Sequence, residues 1–175
     1  MTETTRSALI FGARNLGRAI IETLVAQGWA VAGAARSDET LANVTAAGAL
    51  ALRSDITDQA AVRATVEEAA QALGPVDLVV NAAAAYGGAR TGPFGGGPIA
   101  DAAPDAFDSW SVAPARSAFA FLSGTAGALA PLDRPATLIQ VTGRSSRRAM
   151  PGRGLWAAGA FGVRADRAGR WTARV

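Results

Sequence analysis

Apolar residues fall in short blocks closed by glycine, and between the blocks they recur at helical spacing. Ala8-Leu9-Ile10-Phe11 is a continuous apolar run ended by Gly12, the pattern of a strand buried on both faces. After a tight turn, Leu16, Ile20 and Leu24, with Ile21 and Val25, form a helical stripe, and Gly28 stands at its end as a C-cap. Trp29 to Ala34 predicts a second strand. Ser37 is placed to cap a helix running to Ala47, with Asp38 and Glu39 suited to its positive first turn. Gly48 closes that helix, and Ala49 to Arg53 predicts a third strand. Val62, Val66, Ala69 and Leu73 mark one face of the next helix, stopped by Gly74-Pro75, and Val76 to Val80 predicts a fourth strand.

The rhythm then breaks. The segment from Gly87 to Pro98 holds six glycines and two prolines and reads as a mobile loop. A helical stretch follows from Pro104 to about Leu129, with Pro114 expected to bend or break it because proline lacks a backbone donor. Ala136 to Val141 predicts a fifth strand. Beyond it come an arginine-rich loop and a weakly amphipathic helix from about Leu155. Strands alternating with helices imply βαβ units, right-handed crossovers and a parallel sheet: an α/β fold.

With 175 residues, half of them apolar, the chain can bury one substantial core. A polar, partly acidic start and the lack of any apolar run of membrane-spanning length predict a soluble, cytoplasmic protein with no membrane partner. Composition excludes more than it includes. There is no Cys, His or Lys, and Tyr86 is the sole tyrosine. Cysteine or lysine nucleophiles, a histidine base, a His/Cys metal site and disulfides are therefore all ruled out. Charge is uneven: residues 1–142 carry 9 arginines against 13 acids, whereas residues 143–175 carry 8 arginines against Asp166 alone. With no aromatic ladder or nucleic-acid motif beside it, this basic end reads as a solvated face and not as a nucleic-acid surface.

The first strand-to-helix turn carries the chemistry. Gly12-Ala13-Arg14-Asn15-Leu16-Gly17 sets two glycines five apart: the first for a sharp turn, the second for close packing of helix on strand. The helix start then offers N–H groups and a positive dipole end to a pyrophosphate. A middle glycine is missing, and its place falls on Arg14 or Asn15; Asn tolerates positive φ best after Gly. An ordinary strand-to-helix turn would also place glycine here. About 20 residues on, where an acid would hold the ribose hydroxyls of NAD, the chain has Ala35-Arg36. Arg36, with Arg14 as a possible second cation, presents a planar fork suited to the 2′-phosphate of NADP.

These segments together resemble the short-chain dehydrogenase/reductase family, from Ala8 to roughly Ala165. Gly12–Gly17 followed by Arg18-Ala19-Ile20 resembles its glycine turn, one residue shorter. Ser54-Asp55-Ile56-Thr57 resembles the turn after the third strand that contacts adenine. Leu78-Val79-Val80-Asn81-Ala82-Ala83 resembles the Asn-Asn-Ala-Gly segment after the fourth. Phe107 to Val112 resembles the helix entry bearing the family's asparagine, Val141-Thr142-Gly143 its serine-bearing strand end, and Pro151-Gly152 a frequent companion of it. The resemblance implies a doubly wound, Rossmann-like parallel sheet in the order 3-2-1-4-5. It implies a dinucleotide held by Gly12, Arg14, Asn15, Leu16, Gly17, Arg36, Asp55, Ile56, Asn81 and Ala82, with NADP favoured over NAD. It also implies hydride transfer between that cofactor and a carbonyl or alcohol of unidentified structure. Residues 1–175 are expected to form this single domain, with 164–175 as a basic, poorly ordered tail.

Two departures accompany the resemblance. At the family's catalytic tyrosine, lysine and asparagine positions stand Trp156, Ala160 and Ser111; near its serine position stand Gly143, Thr142 and Ser145. Indole N–H is no usable acid and alanine depresses no pKa, so no residue is assigned a catalytic role. Family domains also continue through two more strands, for which the sequence after Ala165 offers no apolar periodicity. The last strands are therefore expected to be missing, as in a truncated gene product or a short member or non-catalytic relative. The fifth strand's outer edge would then lie open to a second copy of the chain.

Overall fold

Among the described residues, five short strands, numbered along the chain, join into one parallel sheet in the order 3-2-1-4-5, as the resemblance implied. The computed structural model describes residues 5–83, 93–131, 135–148 and 151–165. In chain order the elements are β1 (Ser7–Phe11), α1 (Leu16–Ala26), β2 (Ala30–Ala35), α2 (Asp38–Ala46), β3 (Leu50–Arg53), α3 (Gln59–Leu73), β4 (Leu78–Asn81), α4 (Pro104–Phe107), α5 (Ala113–Leu129), β5 (Thr137–Gln140) and α6 (Gly154–Ala165). Two compact units divide them. One comprises Met1–Ala83 and Ala120–Val141, the other Ala84–Phe119 and Thr142–Val175.

The first unit contains the whole sheet. β1 lies at its centre, with Ala8, Leu9 and Ile10 fully buried, which is why that strand reads as an unbroken apolar run. Its register aligns Phe11 with Ala34 of β2 on one side and with Asn81 of β4 on the other. All five strands therefore point their carboxyl ends the same way. Ile21 of α1 and Val44 of α2 pack with Ala8, Ile10, Val31 and Val80, and each such side chain contributes about 1.5–3 kcal/mol by burial. Phe11 meets Phe121 edge to face at 5.8 Å.

Helix ends follow the expected chemistry, with one correction. The Ser37 hydroxyl accepts from the Thr40 N–H, and the Asp58 carboxylate accepts from the N–H groups of Ala60 and Ala61. Gly28, Gly48 and Gly74 all take positive φ. The packed face of α1, however, begins at Gly17 and not at Leu16, which is 51% exposed. Close approach at Gly17 turns that residue inward, and its neighbour outward. Among the described residues, β5 has β4 on one side and no strand on the other.

In the second unit, Pro114 widens the helix without breaking it. α4 passes into α5 through a π-helical turn at Asp108–Val112. Proline offers no N–H to the carbonyl four residues earlier and its ring crowds that carbonyl, so the preceding turn expands. That carbonyl belongs to Trp110, and it lies where a Cβ on Gly159 of α6 would come within 2.6 Å of it. The part of the glycine-rich segment that is described is packed: Phe94–Gly96 forms a 3₁₀ turn, and a Cβ on Gly96 would strike Leu155. Residues 84–92, which include Tyr86 and the first half of that segment, lie outside the described residues, as do residues 166–175 of the expected tail. Among the described residues, no helix is long and apolar enough to cross a membrane.

Candidate functional site

The expected site residues of the first unit follow the carboxyl ends of neighbouring strands. Phe11 leads into Gly12, Ala35 into Arg36, Arg53 into Ser54 and Asp55, and Asn81 is itself the end of β4. This clustering at the switch point, where the chain winds outward from β1 in both directions, is what parallel doubly wound sheets use for ligands.

Both turn glycines are fixed by close backbone approach. Gly12 has φ +78° and donates its N–H to the Ala34 carbonyl at 3.0 Å. A Cβ there would lie 2.4 Å from the Ala83 nitrogen, and a Cβ on Gly17 only 2.1 Å from the Gly12 oxygen. Between them, the Gly17 N–H closes a turn on the Arg14 carbonyl at 3.0 Å, with Asn15 at φ 48° and ψ −109°. That is the first central position of a type II′ turn, a place for glycine. Asn15 thus occupies the missing middle glycine's conformation. Arg14, Asn15 and Leu16 are all exposed. Among the described residues, the N–H groups of Asn15 and Leu16 meet no acceptor.

Asn15→Gly should therefore stabilise the fold by about 1 kcal/mol, the lower end of the cost of a left-handed conformation for a residue with a Cβ. Thermal unfolding should register this as a Tm rise of roughly 2–4 °C. An unchanged or lower Tm would mean that Asn15 is unstrained.

Next along the sheet edge, Arg36 Nη1 lies 3.6 Å from Asp55 Oδ2. Asp55 also accepts from the Thr57 N–H at 2.9 Å and the Thr57 hydroxyl at 2.8 Å. Partial burial pushes the Asp55 carboxyl up, but the Thr57 hydrogen bonds and the Arg36 charge together bring it below its ordinary range. Ile56 is 8% exposed and its side chain turns into the protein.

Asn81 has an internal role. Its Nδ2 donates to Gln140 Oε1 at 2.9 Å across the β4–β5 pair, and its Oδ1 accepts from the Ala83 N–H at 3.0 Å. The Ala82 N–H donates to the Phe11 carbonyl at 2.9 Å. These bonds hold residues 81–83 against Gly12. Sequence reasoning missed Gln140, which is fifty-nine residues away in the chain; its only signal was a polar residue in an apolar strand.

The second unit contains the residues that the resemblance set at the family's catalytic positions. The Ser111 hydroxyl donates to the Leu155 carbonyl at 2.6 Å. Trp156 packs edge-on against Phe94 at 4.4 Å and tilts toward Trp110 at 6.3 Å, with the Arg153 guanidinium 5.8 Å from its ring. Ala160 is 6% exposed. The Thr142 and Ser146 hydroxyls share a hydrogen bond of 3.2 Å, and Ser145 is buried.

Comparison with known proteins agrees with this architecture. The short chain dehydrogenase family matches residues 6–165. A 3-oxoacyl-acyl-carrier-protein reductase of Salmonella typhimurium is 40% identical over 78 residues, covering 42% of this chain and 32% of the reductase. Actinorhodin polyketide ketoreductase, solved with NADPH, superposes with a TM-score of 0.74 at 24% identity, over 93% of this chain and 63% of that one. A short chain dehydrogenase/reductase from Burkholderia phymatum, in complex with NAD, gives 0.73 at 23% identity, over 94% and 59%. The chain belongs to the short chain dehydrogenase family, whose Rossmann-type sheet it has. The matched regions span about a third of the curated relative and under two thirds of the solved ones.

Proposed function

We propose that this chain binds NADP(H) at the carboxyl ends of β1 to β4, as a short chain dehydrogenase lacking the family's acid–base pair. The observation that carries the reading is the Gly12–Gly17 turn. No Cβ fits at either glycine, and among the described residues the N–H groups of Asn15 and Leu16 meet no acceptor at the start of α1. Such a helix start suits a pyrophosphate in donors and in dipole. Arg14 and Arg36 supply cations near it, Asp55 and Ile56 form the turn suited to adenine, and Asn81 and Ala82 fix the backbone behind Gly12. The fit is to a dinucleotide in general; Arg36 in place of an acid is what favours the phosphorylated one.

The bound nicotinamide would supply hydride to, or accept it from, a carbonyl or alcohol carbon. This chain's residues would bind and orient, but Trp156 and Ala160 offer no proton to a carbonyl oxygen. A second reading, a binding-only relative that senses the dinucleotide or pairs with another chain, is favoured by the aromatic packing around Trp156. Among the described residues the outer edge of β5 pairs with no strand, which is what supports self-association.

The test is calorimetric titration of NADPH and NADH into the native chain and Arg36→Ala. NADPH should bind roughly ten- to a hundredfold more tightly, as a charge-assisted contact of about 1.5–3 kcal/mol implies. Arg36→Ala should remove most of that margin. Equal affinities in the native chain would overturn the NADP reading.

A further inference from the structure

The arginine at the end of β3 bonds to the loop that follows β2. In the parallel β2–β3 pair Arg53 stands beside Ala35, the residue before Arg36. Its Nη1 donates to the Arg36 carbonyl and its Nη2 to Asp38 Oδ1. One side chain thus ties the residue after β2 to the first residue of α2, across the Ser37 cap.

We propose that Arg53 is a positioning residue that sets cofactor preference, by anchoring the Arg36 backbone and cancelling the Asp38 charge. This rests on the NADP(H) reading above. The segment after β2 carries Arg36, Asp38 and Glu39, and is net negative by itself. An unpaired carboxylate just past the second strand repels a 2′-phosphate and accepts from a ribose hydroxyl, the arrangement that selects NAD. Asp38, exposed at the start of its helix, would be such a carboxylate without Arg53, which is paired with it. Arg36 has its own partner in Asp55, so Arg53 is the cation that offsets Asp38.

The magnitudes separate this role from a structural one. The Arg53 and Asp38 side chains are 58% and 92% exposed, and such surface pairs add little to stability. A 2′-phosphate held by Arg36, carrying nearly two charges, would read the same change more strongly.

The experiment titrates NADPH and NADH, at low and high salt, into the full chain and its Arg53→Ala, Asp38→Asn and doubly substituted variants, with thermal melts beside them. Arg53→Ala should weaken NADPH about five- to tenfold and leave NADH within about twofold, with little change in Tm. Adding Asp38→Asn should restore most of the loss, and high salt should shrink the difference. Equal weakening of both cofactors, or no rescue by Asp38→Asn, would overturn the proposal while leaving the NADP(H) reading intact. A native chain that fails to prefer NADPH would overturn both. If Arg53→Ala fails to fold, Arg53→Gln, which keeps a donor for the Arg36 carbonyl but removes the charge, applies the same criteria.

Discussion

Gly17→Val is expected to abolish NADPH binding, with a loss of at least a hundredfold, or about 2.7 kcal/mol. The cause is steric. Even a single carbon at this position would sit 2.1 Å from the Gly12 oxygen, so α1 must move away from the end of β1 or the turn must open. Either movement displaces the helix start and the N–H groups of Asn15 and Leu16. Overpacking of this kind also costs roughly 1–3 kcal/mol of stability, so the Tm should fall as well. Gly17→Ala grades the effect: its smaller side chain should weaken binding less than valine and leave a fold measurable by circular dichroism. Calorimetry on whichever variant retains native helical signal decides the matter. Undiminished affinity in a folded Gly17→Val would mean that the turn only joins strand to helix.

The sheet was legible because its punctuation is local. Gly12, Gly28, Gly48 and Gly74 end their elements by conformation alone, and Ser37 caps α2 through residues within three positions of itself. The Asn15 conformation could also be read, since its turn is set by neighbours in sequence. What depends on strand register could not. That Asn81 bonds to Gln140 follows only from the β4–β5 ladder, which sets the two side by side. Arg53 looks like a strand end facing solvent until the β2–β3 ladder places it next to the Arg36 carbonyl. Leu16 fits a helical stripe by spacing, yet Gly17 takes the inward position because only a residue without Cβ can sit there. Pro114 announced a distortion but not its form; a widened turn keeps α5 continuous where a break would expose more backbone.

Ketone reduction is the second large effect expected. With saturating NADPH and a panel of ketones and quinones, turnover should lie at least 10²–10⁴-fold below that of an enzyme with a positioned general acid. Trp156, which the resemblance sets at the tyrosine position, is engaged with Phe94 through its ring, and an indole N–H cannot yield its proton near neutral pH. Ala160, which the resemblance sets at the lysine position, is a buried methyl group. Ser111, which the resemblance sets at the asparagine position, already donates its hydroxyl hydrogen bond to the Leu155 carbonyl. Tyr86 is the remaining phenol in the chain, and the sequence holds no lysine to activate it. Monitoring NADPH oxidation in the native chain and in Tyr86→Phe separates the outcomes. Negligible turnover in both supports a chain that binds its cofactor without using it on these substrates. Robust turnover abolished by Tyr86→Phe would make that tyrosine the proton donor. Robust turnover indifferent to the substitution would mean that substrate, water or the Thr142 hydroxyl supplies the proton, and that the loss of the tyrosine–lysine pair does not prevent catalysis.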